Sequence, residues 1–392
     1  MSDVFIVSAA RTPIGSFNGT LSKLKASDLG SVVIKEVLRR ANVEPSQVNE
    51  VIMGQTLTAG QGQNPARQAS LKAGVPIEVP AYGINMLCGS GLKTVTIGYQ
   101  AIRSGDAKIV VAGGQESMSL AQHTMHLRQG VKLGSSTMVD SLLSDGLTDA
   151  MEQIHMGVTA ENLAEKYQIS REAQDALAVE SQKRAAFAQQ QGYFDNEIVP
   201  VEIKDRKGST LFAKDEYIKG DSSVEGLQKL RAAFKEGGTV TPGNASGVND
   251  SAAALLLMSG EEVNKRGIKP LAKIVGWTQS GIEPNVMGLG PVTSVEALLA
   301  KLNWSREDVD LYELNEAFAA QSLAVVQCLQ LDSSKVNVNG GAIALGHPIA
   351  ASGARVLVTL LYALERTGGR RGIASLCIGG GMGIALAVER IV

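Results

Sequence analysis

The sequence has few aromatic residues and few cysteines, and it lacks both an excess of one charge and a long apolar run. Aromatic residues make up 4% of the 392 positions, so no stacking surface for nucleic acid is implied. The 37 basic and 39 acidic residues are mixed along the chain, which argues against a nucleic-acid or anionic-membrane partner. The longest apolar run, Ala252–Met258, is much shorter than a membrane span. We therefore expect neither nucleic-acid nor membrane binding.

The three cysteines, Cys88, Cys328 and Cys377, are odd in number and widely spaced. This pattern fits neither a disulfide framework nor a zinc signature, so we expect reducing conditions and no metal site. A predicted strand starts at Val4 without a basic or long apolar leader, and the C-terminal Glu389–Val392 is not a peroxisomal address. A cytoplasmic location is expected.

What the chain does contain is an alternation of strand-like and helix-like segments. Apolar patterning predicts strands over residues 4–7, 48–53 and 109–112, and helices over residues 26–41 and 66–73. Hydrophobic residues make up 44% of the chain, enough for a large buried core and two or three domains. This alternation predicts an α/β fold with mostly buried sheets.

Three segments of the first part recur in the last part at an offset of ~260 residues, which indicates two copies of one α/β unit. Residues 44–52 resemble residues 305–313, residues 90–95 resemble residues 352–357, and residues 109–114 resemble residues 375–380. A polar, helix-rich stretch separates the copies. We divide the chain into a first half over residues 1–118, completed by about residues 248–270, an inserted domain over residues 119–247, and a second half over residues 271–392. A site can form at the seam between such halves.

Cys88 lies in the stretch Ile84–Lys93, where apolar residues lead into small residues, and a periodic apolar run starts at Leu92. This pattern predicts a thiol at a tight turn between a strand and a helix. The N-terminus of a helix favours a thiolate, and the small residues after Cys88 allow a substrate carbonyl to approach the backbone. The alternative is a small buried hydrophobic residue, as most free cysteines are.

Three later stretches also end strands and carry polar or glycine-rich sequence, and each has a structural interpretation when taken alone. Asn315 can cap the helix that follows it, and His347 can be a structural histidine. The glycines after Cys377 precede a strand, unlike a dinucleotide-binding fingerprint. Cys328 lies in a predicted helix over residues 319–331 and is expected in the core.

Taken together and in this order, four motifs resemble those of the thiolase family. They are Cys-Gly-Ser-Gly from Cys88, Asn-Glu-Ala-Phe-Ala from Asn315, Gly-His-Pro around His347 and Cys-Ile-Gly-Gly-Gly from Cys377. The resemblance covers essentially the whole chain. It implies a thiolase-like α/β fold in which two duplicated halves form a layered αβαβα arrangement with an inserted loop domain.

The same resemblance implies the chemistry of the site. Cys88 would take an acetyl group as a thioester, with His347 as its base, and Cys377 would be the acid or base at the methyl carbon of a second acetyl-CoA. Asn315 with a bound water would join His347 in one oxyanion site, and the backbone N–H groups of Cys88 and Gly379 would form the other. The reaction would convert two acetyl-CoA into acetoacetyl-CoA and CoA, reversibly, with CoA as substrate or product and no cofactor.

Further residues resemble the substrate-binding set of the short-chain, biosynthetic branch. The set implied for the acyl and CoA-binding region is Leu147, His155, Met156, Lys219, Phe234, Ser246, Met287, Ala317 and Phe318. Three positions depart from the family pattern. Ala350 stands where glycine is usual in the loop of His347, and Lys219 and Gly226 stand where relatives often carry arginine and serine against the CoA nucleotide.

Three alternatives remain open from the sequence. One is a degradative 3-ketoacyl-CoA thiolase with a wider acyl pocket, and another is a thiolase-like carrier of acyl-CoA or lipid without turnover. A decarboxylating condensing enzyme fits less well, because Cys377 stands where those enzymes typically carry histidine or asparagine. The resemblance also implies dimers that pair into a homotetramer through the insertion.

Overall fold

The computed structural model describes residues 3–205 and 208–391. Its strands are β1 Val4–Arg11, β2 Gly15–Ser16, β3 Glu50–Gly54, β4 Ala81–Ile84, β5 Ile109–Ser117, β6 His123–Thr124, β7 Val139–Asp140, β8 Val201–Asp205, β9 Gly208–Phe212, β10 Asn249–Ser259, β11 Ala272–Gly281, β12 Leu311–Leu314, β13 Arg371–Ile378 and β14 Met382–Arg390. Its helices are α1 Ala26–Arg40, α2 Pro65–Lys72, α3 Ser90–Ser104, α4 Met156–Lys166, α5 Arg171–Gln190, α6 Val224–Gln228, α7 Gly260–Arg266, α8 Gly290–Leu302, α9 Ala319–Leu329, α10 Ala342–Leu345 and α11 Ser352–Thr367.

Two sets of four strands repeat the same order and direction. In the first half the order is β3-β5-β10-β1, and in the second it is β12-β13-β14-β11. β3 and β12 pair in parallel with their neighbours, whereas the other pairs in each set are antiparallel. The two sets meet through a short pairing of β1 with β11. The duplication predicted from the repeated segments is confirmed at the level of topology.

Helices cover both faces of each set of strands. α1 and α2 pack on the outer face of the first set, and α8 and α9 pack on the outer face of the second. α3 and α11 lie between the two sets and share one core with both. The predicted αβαβα layering is therefore confirmed. It also explains the apolar run in β10, where Leu255 and Leu257 face the central helices while Leu256 and Met258 face the outer ones.

The central helices touch each other at glycines near their N-terminal ends. A Cβ on Gly353 would lie 2.3 Å from the Leu92 nitrogen, and a Cβ on Gly91 would lie 2.6 Å from the Ala354 nitrogen. Only residues without a side chain permit this backbone contact. The N-termini of α3 and α11 therefore lie side by side at the seam between the halves.

The insertion is anchored to the first half by buried charge rather than by apolar packing alone. The Arg11 guanidinium on β1 contacts the Glu197 carboxylate at 2.6 Å and holds both Asp215 carboxylate oxygens at 2.7 and 2.9 Å. All three side chains are buried. A planar guanidinium with two carboxylate partners satisfies the buried charges that this junction contains.

Most predicted elements are present with shifted ends. The predicted helix over residues 26–41 is α1, and the strands predicted over residues 4–7 and 109–112 extend to Arg11 and Ser117. Cys328 is half-buried and hydrogen-bonds to Tyr167, so its assignment to the core was wrong. Within the described ranges, no helix combines the length and apolarity needed to cross a membrane.

The glycine contact between the central helices yields a test of the fold. We expect Gly353→Ala to lower the free energy of unfolding by roughly 1–3 kcal/mol, because the added methyl group would press on the α3 backbone. Gly281→Ala is the matched control, since nothing lies within 4 Å of a Cβ there. Urea unfolding followed by circular dichroism measures both, and equal stability of the two variants would contradict the close contact.

Candidate active site

Cys88 is held in a tight turn between β4 and α3, as the sequence predicts. The Asn85 side chain accepts the Leu87 N–H at 2.9 Å, and the Ser90 hydroxyl accepts the Met86 N–H at 2.8 Å while donating to the Leu87 carbonyl at 2.7 Å. Leu87 adopts a left-handed backbone conformation with φ of 47°. A bulky residue in this region is strained, and here three local hydrogen bonds hold it.

His347 reaches Cys88 from the second half of the chain. Its ring nitrogen Nε2 lies 3.3 Å from the Cys88 sulfur. The His347 N–H donates to the Asn249 side chain at 2.9 Å, and a Cβ on Gly346, with φ of 105°, would overlap that side chain. The turn at Gly346, which packs on β10, therefore orients the His347 ring toward Cys88.

Asn315 lies directly behind His347. Its Nδ2 is 3.5 Å from both ring nitrogens, and its backbone N–H donates to the Ser375 carbonyl at 3.0 Å. Its side-chain oxygen Oδ1 is buried without a hydrogen-bond partner among the described residues. A buried acceptor of this kind usually pairs with an ordered water. The N-cap of α9 is Phe318, so the reading of Asn315 as a helix cap was wrong.

Cys377 and Gly379 approach Cys88 from the end of β13. Cys377 is fully buried, and burial raises the pKa of its thiol; Cys88 lies close enough for its charge to raise that pKa further. The Gly379 N–H donates to the Cys88 sulfur. Gly380 and Gly381, with φ near 80°, make the turn into β14. Two thiols and one imidazole therefore meet at the seam of the duplicated halves.

Burial sets the charge state of this group. It raises the pKa of Cys88 to about 11, against the opposing effect of the Gly379 and Cys88 N–H groups. Burial, with the positive charge of Arg355, lowers the pKa of His347 to about 3. The unliganded pair is consequently a neutral thiol and a neutral imidazole. The expected thiolate does not form at rest, because desolvation outweighs the helix N-terminus.

The group lies against a cavity of about 210 Å³ with mainly apolar walls. Eleven of the residues predicted from the sequence line it: Cys88, Leu147, His155, Met156, Phe234, Ser246, Met287, Ala317, Phe318, His347 and Gly379. Asn315 and Cys377 lie buried behind the wall. Lys219 is exposed and outside the cavity, with its Nζ 5.3 Å from the ring centre of Tyr217.

Stacked rings form the wall contributed by the insertion. His155 stacks on Phe234 with ring centres 4.6 Å apart, and Phe234 meets Phe318 edge-on at 6.2 Å. The His155 Nδ1 accepts the Gly157 N–H at 3.0 Å, which caps α4. Gly157 has to be small here, because a Cβ would lie 2.3 Å from the Phe234 ring.

Several lining residues received no role from the sequence. They are Leu87, Met118, Gly146, Ala245, Gly247, Val248 and Ile349. All of them except Met118 are close chain neighbours of a predicted motif or site residue, so the motifs themselves were the available signal. Val248 is placed by a parallel bridge to His347, a contact that spacing along the chain does not reveal.

Ala350 fits its turn without strain. It lies in the buried 3₁₀ turn Ile349–Ala351 and is not one of the non-glycine residues with positive φ. Its N–H donates to the Glu116 carboxylate at 3.0 Å, and its carbonyl packs where a Cβ on Gly114 would be. Ala350 therefore replaces the usual glycine without backbone strain.

The neutral state of Cys88 predicts a specific pH dependence of alkylation. Because the thiolate is the reactive form and its pKa is about 11, we expect the iodoacetamide rate at Cys88 to rise through about pH 10 without a plateau. Peptide mass spectrometry distinguishes Cys88 from Cys328, which is half-buried as Cys88 is. Free cysteine, whose pKa is about 8.5, is the control. A plateau at Cys88 in the range of the free amino acid would contradict the neutral pair.

Comparison with known proteins places this geometry in a family. The family model described as "Thiolase, N-terminal domain" matches residues 4–261, and "Thiolase, C-terminal domain" matches residues 268–390. Acetyl-CoA acetyltransferase, cytosolic, from Rattus norvegicus is 58% identical over 99% of this chain and 98% of its own length. The acetyl-CoA acetyltransferase of Chromobacterium violaceum is 58% identical over 99% of this chain and all of its own.

Solved structures agree with the sequence relatives. The crystal structure of the Bacillus anthracis acetyl-CoA acetyltransferase superposes with a TM-score of 0.98 at 45% identity, covering 100% of this chain and 99% of the other. Human mitochondrial 3-ketoacyl-CoA thiolase superposes with a TM-score of 0.97, also at 45% identity and with the same coverage. The motifs, the duplicated topology and the full-length matches agree, and the chain belongs to the thiolase family.

Proposed function

We propose that the chain is an acetyl-CoA acetyltransferase that interconverts two acetyl-CoA with acetoacetyl-CoA and CoA through an acetyl-Cys88 intermediate. The observation that carries this proposal is the 3.3 Å contact of the Cys88 sulfur with His347 Nε2, with the buried Cys377 beside it. Full-length relatives named for this activity support the proposal.

In the thiolytic direction, His347 Nε2 takes the Cys88 proton as the sulfur attacks the keto carbon of acetoacetyl-CoA. The carbon–carbon bond breaks, and Cys377 donates its proton to the enolate carbon, which gives acetyl-CoA. The raised pKa of Cys377 suits this step, since the thiol is protonated when its proton is needed.

The second half of the cycle restores both thiols. CoA enters, gives its thiol proton to the Cys377 thiolate and attacks the acetyl group on Cys88. The Cys88 thiolate leaves and recovers its proton from His347. Synthesis is the reverse of these steps, so atoms and charges balance in both directions.

Two sets of donors suit the oxygens that become negative. The N–H groups of Cys88 and Gly379, which already point at the Cys88 sulfur, would hold the oxygen of the acyl group on that sulfur. The unpaired Oδ1 of Asn315 would fix a water that, with protonated His347 Nε2, donates to the enolate oxygen. In a buried cavity such preorganised donors act strongly.

The small cavity favours a short acyl chain over the degradative alternative. Met156, Met287 and Phe318 are buried around it, and its volume of about 210 Å³ is below the roughly 300–1,000 Å³ usual for larger ligands. Human mitochondrial 3-ketoacyl-CoA thiolase has nearly the same fold, so the fold does not distinguish the short-chain activity from the degradative one. The length of the acyl chain that the cavity accepts does distinguish them. A carrier that binds acyl-CoA or lipid without turnover would require neither the contact between Cys88 and His347 nor the buried Cys377.

CoA would reach Cys88 past the stacked rings and the loop carrying Ser246, whose N–H donates to the Ala317 carbonyl at 3.0 Å. The nucleotide end would extend outside the cavity, where Lys219 is exposed. This chemistry uses CoA as substrate and calls on no resident cofactor or metal. We place the protein in the cytoplasm, as rodent relatives named cytosolic suggest.

We also propose a homotetramer, built as a dimer of dimers. The edge strand β4 is partly exposed and leaves a free sheet edge. Exposed apolar side chains are frequent in one segment of the insertion: Leu127, Val131, Leu133, Met138, Val139, Leu143 and Met151. Exposed apolar groups in such number are typical of an interaction surface, and a second copy of this chain is the partner proposed.

The tetramer proposal is tested by Leu133→Asp, at a side chain that is 96% exposed in the single chain. We expect light scattering after size exclusion to show dimers in place of tetramers, because a carboxylate would be buried without a partner. Leu211→Asp, on the exposed face of β9, is the control and should stay tetrameric. A tetramer from both variants would place the interface elsewhere.

The reaction itself is tested by thiolysis of a 3-ketoacyl-CoA series that starts at acetoacetyl-CoA. We expect activity to fall steeply beyond acetoacetyl-CoA, because Met156 and Met287 close the cavity. The measurement is the CoA-dependent loss of the ketoacyl-CoA absorbance. Comparable rates along the series would assign the chain to the degradative branch, and no activity on any member would favour the carrier.

Two variants separate the roles of the thiols in that assay. Cys88→Ala should abolish both turnover and labelling of the protein by acetyl-CoA. Cys377→Ala should abolish turnover but keep acetyl labelling of Cys88, which mass spectrometry detects. Normal turnover of Cys88→Ala would reject Cys88 as the nucleophile.

A further inference from the structure

We propose that Ser352 is a positioning residue that fixes the tautomer of His347, with the hydrogen on Nδ1 and a free lone pair on Nε2. The inference rests on the proposed function, in which Nε2 takes the proton of Cys88. Ser352 is the first residue of α11 and is fully buried. Its role follows from the count of hydrogens around the ring.

The hydroxyl of Ser352 has two close neighbours. Its Oγ lies 2.5 Å from His347 Nδ1 and 2.9 Å from the Pro348 carbonyl oxygen. The hydroxyl donates its single hydrogen to the Pro348 carbonyl, which also accepts the Ala351 and Ser352 N–H groups at 3.0 Å each. The oxygen of Ser352 then faces Nδ1 with a lone pair, and Nδ1 has to carry the hydrogen of that contact.

The other neighbours of the ring agree with this assignment. The pKa of His347 is lowered to about 3 by burial, so one ring nitrogen carries a hydrogen and the other does not. The Asn315 Nδ2 is a donor only and sits at 3.5 Å from both nitrogens, so it supplies no acceptor for either hydrogen. The neutral thiol of Cys88 can donate to Nε2 at 3.3 Å.

The duplicated half shows which part of this arrangement is structural. Ser90 occupies the corresponding place at the start of α3, where its hydroxyl donates to the Leu87 carbonyl and accepts the Met86 N–H. Both serines therefore bond a carbonyl of the preceding turn. In the second half the accepting lone pair meets an imidazole in place of a backbone N–H, and this contact carries the proposed role.

An uncharged acceptor has a chemical consequence. A carboxylate at this position would stabilise the imidazolium and retain the proton, whereas a hydroxyl orients the ring without offsetting the charge. His347 therefore takes the Cys88 proton during attack and gives it back readily when Cys88 leaves. Reversible transfer in both directions of the reaction benefits from such a base.

The tautomer is measured directly, without turnover. The chain has four histidines, so solid-state ¹⁵N NMR of histidine-labelled protein gives few signals, and His347→Asn identifies those of His347. We expect the wild-type ring to show a protonated Nδ1 and a bare Nε2 at neutral pH. The opposite pattern would overturn the proposal.

Ser352→Ala tests the consequence for catalysis. We expect kcat for thiolysis to fall by roughly 10- to 100-fold, as for other lost partners that orient an imidazole, with KM for CoA nearly unchanged and both tautomers in the spectrum. Ser294→Ala is the matched control, since the Ser294 hydroxyl makes the same bond to a carbonyl four residues back, at 2.9 Å, in α8. Full kcat and an unchanged spectrum in Ser352→Ala would overturn the proposal. Absence of thiolysis in the wild type would reject the proposed function and leave the tautomer result standing.

Discussion

The backbone contact between α3 and α11 is the constraint on which the site depends. Gly91 and Gly353 let the two helices meet near their first turns, and the residues just before those turns are Cys88 on one side and the loop of His347 on the other. A side chain at either glycine would press on the backbone of the other helix, and the 3.3 Å contact between the Cys88 sulfur and the His347 imidazole spans the same seam. The reactive groups therefore lie where the duplicated halves touch, and their geometry depends on the close packing of the two helices at that point.

The same tight packing removes water and decides the resting charge state. In water a thiol and an imidazole titrate within a few pH units of each other, but burial moves the pKa of Cys88 up to about 11 and that of His347 down to about 3. Charge appears in this site only as bonds change, and the N–H groups of Cys88 and Gly379 are already in place to receive it. A neutral resting site also limits side reactions of an exposed thiolate.

The sequence was sufficient for everything that depends on order along the chain. The repeated segments predicted the duplication, and the polar, helix-rich stretch between them predicted the insertion that contains α4 and α5. It was insufficient wherever distant segments meet. The pKa of Cys88 depends on how deeply the two halves bury it, the exposure of Cys328 depends on its contact with Tyr167, and the contact of Ser352 with His347 depends on one side-chain rotamer. Motif spacing carries none of these quantities.

The two copies of the repeated turn show how one structural device came to supply two different reactive groups. Aligning Ser90 with Ser352 places Cys88 opposite Ala350, two residues before the serine in each copy. In the first copy the turn itself presents the thiol. In the second copy the same position is Ala350, whose carbonyl packs against Gly114 and whose N–H donates to the Glu116 carboxylate. The reactive group of this copy lies three residues earlier, at His347. The two copies of the turn therefore supply a thiol and an imidazole to one site from different positions of the same structural element.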